Sequence, residues 1–404
     1  MANPHVRRIL TINTGSSSLK AGLYSFGALE TLDLAARAER IGHSESRLQI
    51  TDAQGAPLFD QPGHLPDYDA ALHALFAWFH GHGSGTAPNA VGHRVVHGGS
   101  HFTAPQRITD ELIATLQQLV PLDPDHLPQA LAAIQATRQA YPSIPQVACF
   151  DTTFHRQMPS VAQQYALPHE LWEVGVRRYG FHGLSYEYIM DALRSADPAA
   201  VAGRVIIAHL GNGASMAAVQ RGIGVDTTMG LTPTGGRVMG TRSGDLDPGV
   251  LLYLLQAQGM SPAEINTLVN QRSGLLGISR STADMRDLLD KESRDPRAAA
   301  AIALFCYQAR KFLGALAAVL GGLDTLIFTG GIGEHAAPIR ARICAGMDFL
   351  GIQLDERRNA AHAPIISRDG STATVRVMPT DEDVMIARHT YRLLSQRGAD
   401  HVEV

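Results

Sequence analysis

Residues 11–20 of the chain read TINTGSSSLK, and two comparable stretches follow, HLGNGAS from His209 and FTGGIGEH from Phe328. Each comes after a short apolar run typical of a strand, and each offers small residues and backbone N–H groups to an anionic ligand. None fits G-x-x-x-x-G-K-[ST] or G-x-G-x-x-G, so neither single-loop nucleotide fold is indicated. The pattern favours a nucleotide held by several separated turns from two domains.

Length and composition set the class of protein. At 404 residues the chain is too long for one typical core, so two domains are expected. Apolar residues make up 45% and charged residues 18%, as in a globular enzyme. With 34 Lys and Arg against 38 Asp and Glu, the formal net charge is −4, which gives no electrostatic reason to expect nucleic acid or an anionic membrane as a partner.

Cysteine usage and hydropathy indicate the compartment. Cys149, Cys306 and Cys344 are far apart and form no C-x-x-C pair, which suits a reducing cytoplasm. The first ten residues lack the apolar segment of a signal peptide. The Ala-rich run near residue 300 is interrupted by Arg310 and Lys311, so no membrane span is predicted. We therefore expect a soluble, cytoplasmic protein.

The pattern of strand, glycine turn and strand occurs in both halves, near residue 15 and near residue 212, and predicts two similarly built α/β domains. Thr109 is a predicted helix cap, and the sequence from Ser261 to Glu264 is a capping box. Residues 296–320 predict one long, largely buried helix, and a closing helix is expected from about Asp383. Residues 60–90 are expected to be irregular, with one short helix.

The first polar constellation combines Asn13, three serines and Lys20, which would suit phosphate or its magnesium ion. The alternative is an ordinary polar hairpin turn. In a separate segment, Arg94 lies between a histidine and a valine before a glycine turn, where it can hold a carboxylate bidentately or form a surface salt bridge.

His93, His97 and His101 lie at four-residue spacing, which on a helix would suggest a metal site. The flanking valines and glycines favour a strand and a turn, where this spacing does not bring side chains together. A zinc site is therefore not predicted.

Several segments of the second half remain candidates. His182, within RRYGFHGLSYEY, is either a site residue or a satisfied core histidine. The long polar loop DTTMGLTPTGGRVMGTRSGDLDPG, with Arg237 and Arg242, is typical of a functional loop. Glu334 and His335 follow a glycine turn that can approach a flat ring or a ribose. No G-x-S-x-G elbow is present and Cys149 lies in an apolar strand, so covalent hydrolase chemistry is not expected.

The ordered motifs TINTGSSSLK, GHRVVHGG, FDTTFH, YGFHGLSY, HLGNGAS, DTTMG, GTRSGDLDPG, STADMRDL, TGGIGE and TDEDVMIA span nearly the whole chain. Together they resemble the acetate kinase family, within the superfamily of acetate kinases, sugar kinases, Hsp70 chaperones and actin. The resemblance implies an α/β fold of two ribonuclease-H-like (actin-like ATPase) domains with an interdomain active-site cleft. Residues 1–152 plus 383–404 would form the N-terminal domain, and residues 153–382 a C-terminal domain for nucleotide binding and homodimer formation.

The reaction implied is reversible transfer of the ATP γ-phosphoryl group to acetate, giving acetyl phosphate and ADP. It would use Mg²⁺, with Mn²⁺ as an alternative ion. Propionate kinase or another short-chain carboxylate kinase is the alternative within the class. A nucleotide-dependent binding protein is the alternative outside it, although that activity needs no carboxylate site.

Site residues follow from the same resemblance. The metal would be held by Asn13 and Glu382, and the transferring group stabilised by His182 and Arg242, with Asp151 at the position usually assigned acid/base duty. The acid would contact Arg94, Val96, Leu122, Phe181 and Pro233. The nucleotide and its phosphates would contact Lys20, His209, Leu210, Gly211, Asn212, Gly213, Asp284, Met285, Arg286, Gly331, Ile332, Gly333, Glu334 and His335.

Three departures from the family pattern stand out. Family members carry a Pro-Leu-His-Asn-Pro segment, but here Asp123 replaces the histidine, unless a small shift lets His126 serve. The loop 231–237 differs beside the expected acid pocket, and His335 replaces a common asparagine.

A carboxylic acid titrates near pH ~4 to 5, so acetate arrives ionised and needs no general base. We therefore expect Asp151 to orient magnesium, water or an arginine.

Overall fold

The computed structural model describes residues 8–15, 18–82 and 86–396. The chain divides into two units, one of Met1–Thr153 with Asp381–Val404 and one of Phe154–Thr380. The boundaries expected from sequence, 152/153 and 382/383, assigned Glu382 to the second domain. The structure groups it with the first unit, because the closing helix that it begins packs against the strands of that unit.

The strands are β1 (Arg8–Thr14), β2 (Ser18–Phe26), β3 (Glu30–Glu39), β4 (Ser46–Asp52), β5 (Pro57–Gly63), β6 (Ala90–Val95), β7 (Gln106–Arg107), β8 (Gln146–Phe150), β9 (Arg204–Leu210), β10 (Ala214–Gln220), β11 (Ile223–Thr227), β12 (Thr325–Thr329) and β13 (Thr374–Val377).

The helices are α1 (Tyr68–Gly81), α2 (Asp110–Leu119), α3 (Leu127–Ala140), α4 (Ser160–Gln163), α5 (His169–Glu173), α6 (Gly183–Ala196), α7 (Pro198–Val201), α8 (Pro248–Gln256), α9 (Pro262–Gln271), α10 (Gly274–Ser279), α11 (Met285–Lys291), α12 (Pro296–Leu320), α13 (Gly330–His335), α14 (Ala337–Cys344), α15 (Glu356–Ala360) and α16 (Glu382–Gln396). Short 3₁₀ turns occur at Val120–Leu122, Asp151–His155 and Asp348–Leu350.

Both sheets share one strand arrangement. The first has the order β5-β4-β3-β2-β1-β6-β8-β7, and the second the order β11-β10-β9-β12-β13. Both contain a core of three antiparallel strands followed by two parallel ones: β3-β2-β1 then β6 and β8 in the first sheet, and β11-β10-β9 then β12 and β13 in the second. The first sheet adds the antiparallel strands β4 and β5 at one end and β7 at the other. This is the ribonuclease-H-like arrangement of actin-like ATPases, and it confirms the two similarly built α/β units.

The local signals for helix boundaries are confirmed. The Thr109 hydroxyl accepts the N–H of Leu112 at the start of α2. The capping box between Ser261 and Glu264 begins α9. Helix α12 ends at Gly321, whose φ of 68° lies in the left-handed region that glycine adopts without a Cβ penalty. These ends depend on neighbours in sequence, which is why the sequence predicts them.

Two expectations from the sequence were wrong: how irregular residues 60–90 are, and how much of the helix at 296–320 is buried. Residues 57–63 form strand β5, and α1 is a full 14-residue helix whose buried face includes Leu72, Leu75 and Phe76. Helix α12 is buried on one face only, and Tyr307 and Val319 are exposed. Among the described residues α12 is long and apolar enough to cross a membrane by length and composition, despite its charges. Its buried face packs on α10, α11 and β10, as in a core helix.

One close approach fixes the back of the first sheet. Helix α16 lies against β1, β2, β6 and β8. A Cβ atom on Gly92 would lie 2.3 Å from Thr390 Oγ1 and 2.6 Å from Ile386 Cγ2. Only glycine at this position of β6 lets the helix come so near. The apolar side chains of α1 and α3 cover the opposite face, with Leu10, Ile12 and Val91.

His93 of β6 is a core histidine. Its Nε2–H donates to Gln146 Oε1 at 2.8 Å, and its enclosed Nδ1 has no hydrogen-bond partner in the described part of the chain. Burial lowers the pKa of His93 to about 4, against the smaller opposing effect of the hydrogen bond to Gln146. A proton on Nδ1 would place an unpaired charge inside the unit. Burial likewise lowers the pKa of His155 to about 4.

We predict that the protein loses stability as the pH falls from 6.5 to 4. In this range His93 and His155 become protonated in the unfolded chain, whereas both stay mostly neutral in the folded protein. Each can contribute on the order of 3 kcal/mol. The free energy of urea unfolding at pH 7, 6 and 5 should fall less steeply in His93→Asn than in the parent. The exposed His73→Asn control should retain the parental slope, and equal slopes in all three proteins would contradict the assignment.

Candidate active site

Four polar residues meet at one edge of the first sheet. Asn13 lies near the end of β1, Arg94 near the end of β6, Asp151 directly after β8, and Glu382 at the start of α16. Because β1, β6 and β8 are parallel, their carboxyl ends share an edge, which is where open α/β sheets bind ligands. The fold therefore brings together residues that are up to 369 positions apart in the sequence.

Arg94 and Asp151 form a buried, bidentate ion pair. Nε and Nη2 of Arg94 donate to the two carboxylate oxygens at 3.0 and 2.6 Å, and the Asp151 side chain is fully buried. Burial by itself lowers the pKa of Arg94, but attraction by Asp151, Glu382 and Asp383 outweighs it and raises that pKa above its usual value. The guanidinium is thus a fixed cation held in place by Asp151.

The remaining edge of Arg94 faces oxygen atoms. Nη1 donates to Asn13 Oδ1 at 3.2 Å and lies 3.8 Å from Glu382 Oε2. Since Asp151 occupies the Nε and Nη2 fork, a substrate carboxylate cannot take that fork bidentately in this arrangement. The Nη1 edge is the one directed at the remaining site residues.

Asn13 and Glu382 supply oxygen donors of the type that Mg²⁺ prefers. Asn13 Nδ2 donates to Glu382 Oε2 at 3.3 Å. Next to them lies Asp383, whose enclosed Oδ1 has no hydrogen-bond partner among the residues that the structure describes. Burial raises the pKa of Asp383 to about 6, against the attraction of Lys20. Within the described part of the chain no three His, Cys, Asp or Glu side chains are grouped closely enough to form an all-protein metal cage.

Asp123, which departs from the expected motif, contacts His126. Asp123 is buried, and its Oδ1 is 2.8 Å from Nδ1 of His126, at the start of α3. The two residues that the sequence left as alternatives are therefore partners. Val96 is buried and Leu122 half-buried in the same unit.

In the second unit, His182 is held at the N-terminus of α6. Its φ of 58° places it in the left-handed region, which is rare for a residue with a Cβ and is a strain that functional sites tolerate. Nδ1 lies 2.7 Å from Ser215 Oγ, and the imidazole stacks on that of His209 with centroids 4.3 Å apart. Ser215 and His209 are cross-strand neighbours in β10 and β9, so one face of this hairpin supports the ring.

His182 and Arg242 converge on Gly213. A Cβ placed on Gly213 would lie 3.3 Å from His182 Nε2 and 3.7 Å from Arg242 Nη1. The loop that carries Arg242 is tied to the glycine turn, because Gly240 N–H donates to the Asn212 carbonyl. Arg242 Nη1 also donates to the Pro233 carbonyl at 3.4 Å.

Arg237, in the same loop, has a different role. It is completely buried, its Nη2 donates to the Phe305 carbonyl at 3.1 Å, and its guanidinium lies over the Phe305 ring. Burial lowers the pKa of Arg237 to about 10. Arg237 therefore anchors the loop to α12, whereas Arg242 projects toward the glycine turn.

Beside that turn lies a cavity of about 620 Å³, large enough for a nucleoside. Its walls are Gly211, Asn212, Ala283, Asp284, Met285, Arg286, Leu289, Gly331, Ile332, His335, Ala336 and Pro338. Eight of these were predicted from sequence; Ala283, Leu289, Ala336 and Pro338 were missed. The missed residues are small or apolar and adjoin predicted motifs, which is the only signal that could have indicated them.

Other residues predicted for the nucleotide lie outside this lining. Leu210 and Gly333 are buried, and His209 Nδ1 is engaged with Ser185 Oγ at 2.8 Å. Glu334 Oε1 accepts the N–H groups of Gly330 and Thr380, so it holds two loops together. Phe181 is buried in this unit, whereas Lys20 is exposed on β2 of the other.

Two polar side chains that line the cavity, those of Asp284 and Arg286, bind each other. Asp284 Oδ2 accepts Nη2 of Arg286 at 2.8 Å, and its Oδ1 caps α11 through the Arg286 N–H. Met285, Leu289 and Ile332 offer apolar surface to a flat ring. The cavity thus combines apolar walls with the backbone of two glycine turns, at Gly211 and Gly331.

The chain matches known proteins along nearly its whole length. The family model described as the acetokinase family matches residues 8–388. The acetate kinase of Methylocella silvestris is 46% identical, over 97% of this chain and 99% of that protein. The acetate kinase of Rhodopseudomonas palustris strain CGA009 is 48% identical, over 95% of this chain and 98% of that protein.

Two solved structures have the same fold. The acetate kinase of Porphyromonas gingivalis superposes with a TM-score of 0.84 at 37% identity, covering 96% of this chain and 100% of that one. A propionate kinase from Francisella tularensis superposes with a TM-score of 0.88 at 35% identity, covering 96% and 99%. Similarity in fold therefore extends to kinases named for two different acids.

We predict that the Arg94–Asp151 pair is strongly coupled. Asp151→Asn should lower the free energy of unfolding by about 3–5 kcal/mol, because it leaves a buried guanidinium without its counter-charge, and Arg94→Met should suppress much of that loss. A double-mutant cycle in urea measures the coupling. The exposed pair Arg47–Asp60 has the same two-bond geometry and is the matched control, in which solvent should leave only a small coupling. Equal coupling in both pairs would contradict the prediction.

Proposed function

The chain belongs to the acetokinase family, and we propose that it catalyses reversible, magnesium-dependent transfer of the ATP γ-phosphoryl group to acetate, giving acetyl phosphate and ADP. The observation that carries the proposal is the convergence of His182 and Arg242 on Gly213, beside the nucleoside-sized cavity. An imidazole and a guanidinium at the end of a nucleotide cavity are suited to a phosphoryl group.

The negative charge of the transition state explains why an imidazole and a guanidinium suit phosphoryl transfer. In the transition state of phosphoryl transfer, negative charge spreads over the equatorial oxygens, so positioning and cationic stabilisation supply most of the catalysis. We assign Arg242 and His182 to those oxygens. Gly211, Asn212 and Gly213 would approach the phosphates, while Asp284–Arg286 and the turn 331–335 would contact the nucleoside.

We assign the magnesium ion to Asn13 and Glu382. Two protein ligands suffice, because Mg²⁺ keeps several waters and takes further oxygens from the substrate phosphates. The ion would neutralise the charge on those phosphates, and Mn²⁺ has the same ligand preference. Lys20, which pairs with Asn13 across the hairpin β1–β2, would add a further cation for the phosphates.

Asp151 is proposed as a positioning residue. Acetate is ionised at neutral pH, so it needs no general base. The contacts of Asp151 with Arg94 support a role in holding that arginine, which would present Nη1 to the acid. Val96, Leu122, Phe181 and Pro233 are proposed for the methyl group of the acid.

The acid is expected to be small. One additional methylene is discriminated by only about 1–3 kcal/mol, so propionate should also react, more weakly. The altered loop 231–237, near the proposed pocket, is the feature that would shift the preference toward a longer acid.

The test is hydroxylamine trapping of acyl phosphate with ATP and magnesium, comparing acetate, propionate, butyrate and no acid. We expect most product with acetate, less with propionate, and none without acid. A preference for butyrate would move the assignment to another carboxylate kinase. Acid-independent ATP hydrolysis with no trapped product would favour a nucleotide-dependent binding protein.

We also propose a cytoplasmic homodimer. All three cysteines are free and buried, which suits a reducing compartment.

The dimer is proposed from helix α8 of the second unit. This helix buries none of its residues, and Val250, Leu252 and Tyr253 are exposed on it. Light scattering should give the mass of two chains, and Leu252→Glu should lower it; a monomeric parent protein would refute the dimer.

A further inference from the structure

Two buried hydroxyls, those of Ser215 and Tyr186, form a hydrogen-bonded network that ends at Nδ1 of His182. Ser215 Oγ lies 2.7 Å from His182 Nδ1 and 2.5 Å from the Tyr186 hydroxyl. Ser215 and Tyr186 are both fully buried. Two hydroxyls in line behind an imidazole determine which ring nitrogen carries the proton, because Nδ1 must either donate to or accept from Ser215.

The fold fixes all three members of this network. Tyr186 follows His182 by four residues, so both lie on one face of α6, and the Tyr186 N–H donates to the His182 carbonyl at 3.1 Å. Ser215 stands opposite His209 on the neighbouring hairpin. A helix end and an interior strand thus place the three side chains side by side.

The acidity of the two hydroxyls sets the direction of the hydrogen bonds. A phenol is a far stronger acid than an alcohol, so the Tyr186 O–H donates to Ser215 Oγ. That bond polarises the Ser215 hydroxyl, which then donates to His182 Nδ1. With Nδ1 as an acceptor, the proton of the neutral ring resides on Nε2, the nitrogen nearest Gly213.

We propose that Tyr186 and Ser215 are positioning residues that keep His182 in its Nε2–H form, as a fixed hydrogen-bond donor for the transferring phosphoryl group. The inference rests on the proposed function for the identity of the acceptor, but the tautomer itself does not depend on that function. The ring gains a donor on the substrate side without having to carry a charge.

The surroundings of the ring favour this neutral donor. Three titratable or charged side chains lie around His182: His209, Tyr186 and Arg242 are among its described neighbours. A protonated His182 would stack on His209 and lie close to the Arg242 guanidinium, so a second cation there would be repelled. A neutral ring with Nε2–H supplies the hydrogen bond without that repulsion, and Arg242 supplies the charge.

The first experiment observes the tautomer directly. Two-bond ¹H–¹⁵N NMR of the full-length protein with ¹⁵N-labelled histidine at pH 8, assigned by the signal lost in His182→Gln, should show Nε2–H for His182. In Ser215→Ala the ring should become a mixture of tautomers. An Nδ1–H ring in the parent protein would overturn the proposal, whatever the acyl phosphate assay shows.

The second experiment measures kinetics. Ser215→Ala should lower kcat by about 10- to 100-fold through loss of orientation, with KM for ATP nearly unchanged. Tyr186→Phe should lower kcat by about 2- to 10-fold, the equivalent of one neutral hydrogen bond, and Ser215→Thr should restore most of the activity.

Ser367→Ala is the matched control. It removes another buried serine hydroxyl of the same unit, one that accepts the Val375 N–H, and it should cost stability without affecting kcat. If Ser215→Ala fails to fold, Tyr186→Phe decides the question alone. Parental kcat in the folded variants would refute the positioning role, whereas absence of acyl phosphate from the parent protein would refute the proposed function instead.

Discussion

The register of two hairpins is the constraint on which the rest of the structure depends. In β1–β2 it places Asn13 opposite Lys20, and in β9–β10 it places His209 opposite Ser215. A slip of one residue would turn every side chain of a strand to the other face of its sheet. The strands β1 and β9 are buried on both faces, so such a slip would place side chains in closely packed surroundings of the wrong shape. The polar residues at the strand ends are therefore placed by the burial of the strands behind them.

Two buried arginines show that the surroundings of a charged side chain decide whether it has a structural or a chemical role. Arg94 is matched by Asp151, which raises its pKa and fixes its direction at the edge of the first sheet. Arg237 has no carboxylate partner among the described residues; it lies on the Phe305 ring, and burial lowers its pKa to about 10. The paired cation can serve as a rigid contact for an anion. The unpaired cation, Arg237, is enclosed and stabilises a loop.

Preorganisation is common to the candidate residues of each unit. Asp151 orients Arg94 in one unit, while Ser215 and Tyr186 orient His182 in the other. Each device uses buried polar groups at fixed distances, and such groups do not need to reorganise when charge develops on a substrate. The left-handed backbone at His182 belongs to the same design, because the surrounding strands and helix hold a conformation that the residue alone would avoid.

The sequence by itself determined the features that depend on neighbours along the chain. It predicted the hairpins, the caps of α2 and α9, the glycine end of α12 and the ordered motifs that identify the family. It missed the extent of α1, the exposed face of α12, and the apolar wall of the cavity formed by Ala283, Leu289, Ala336 and Pro338. Only the tertiary structure decided that Asp123 partners His126, that Asp151 occupies the fork of Arg94, and that Tyr186 reaches His182 through Ser215. The reason is physical: periodicity and capping are local, whereas a side-chain contact depends on sheet register and helix packing between segments that the sequence does not place side by side.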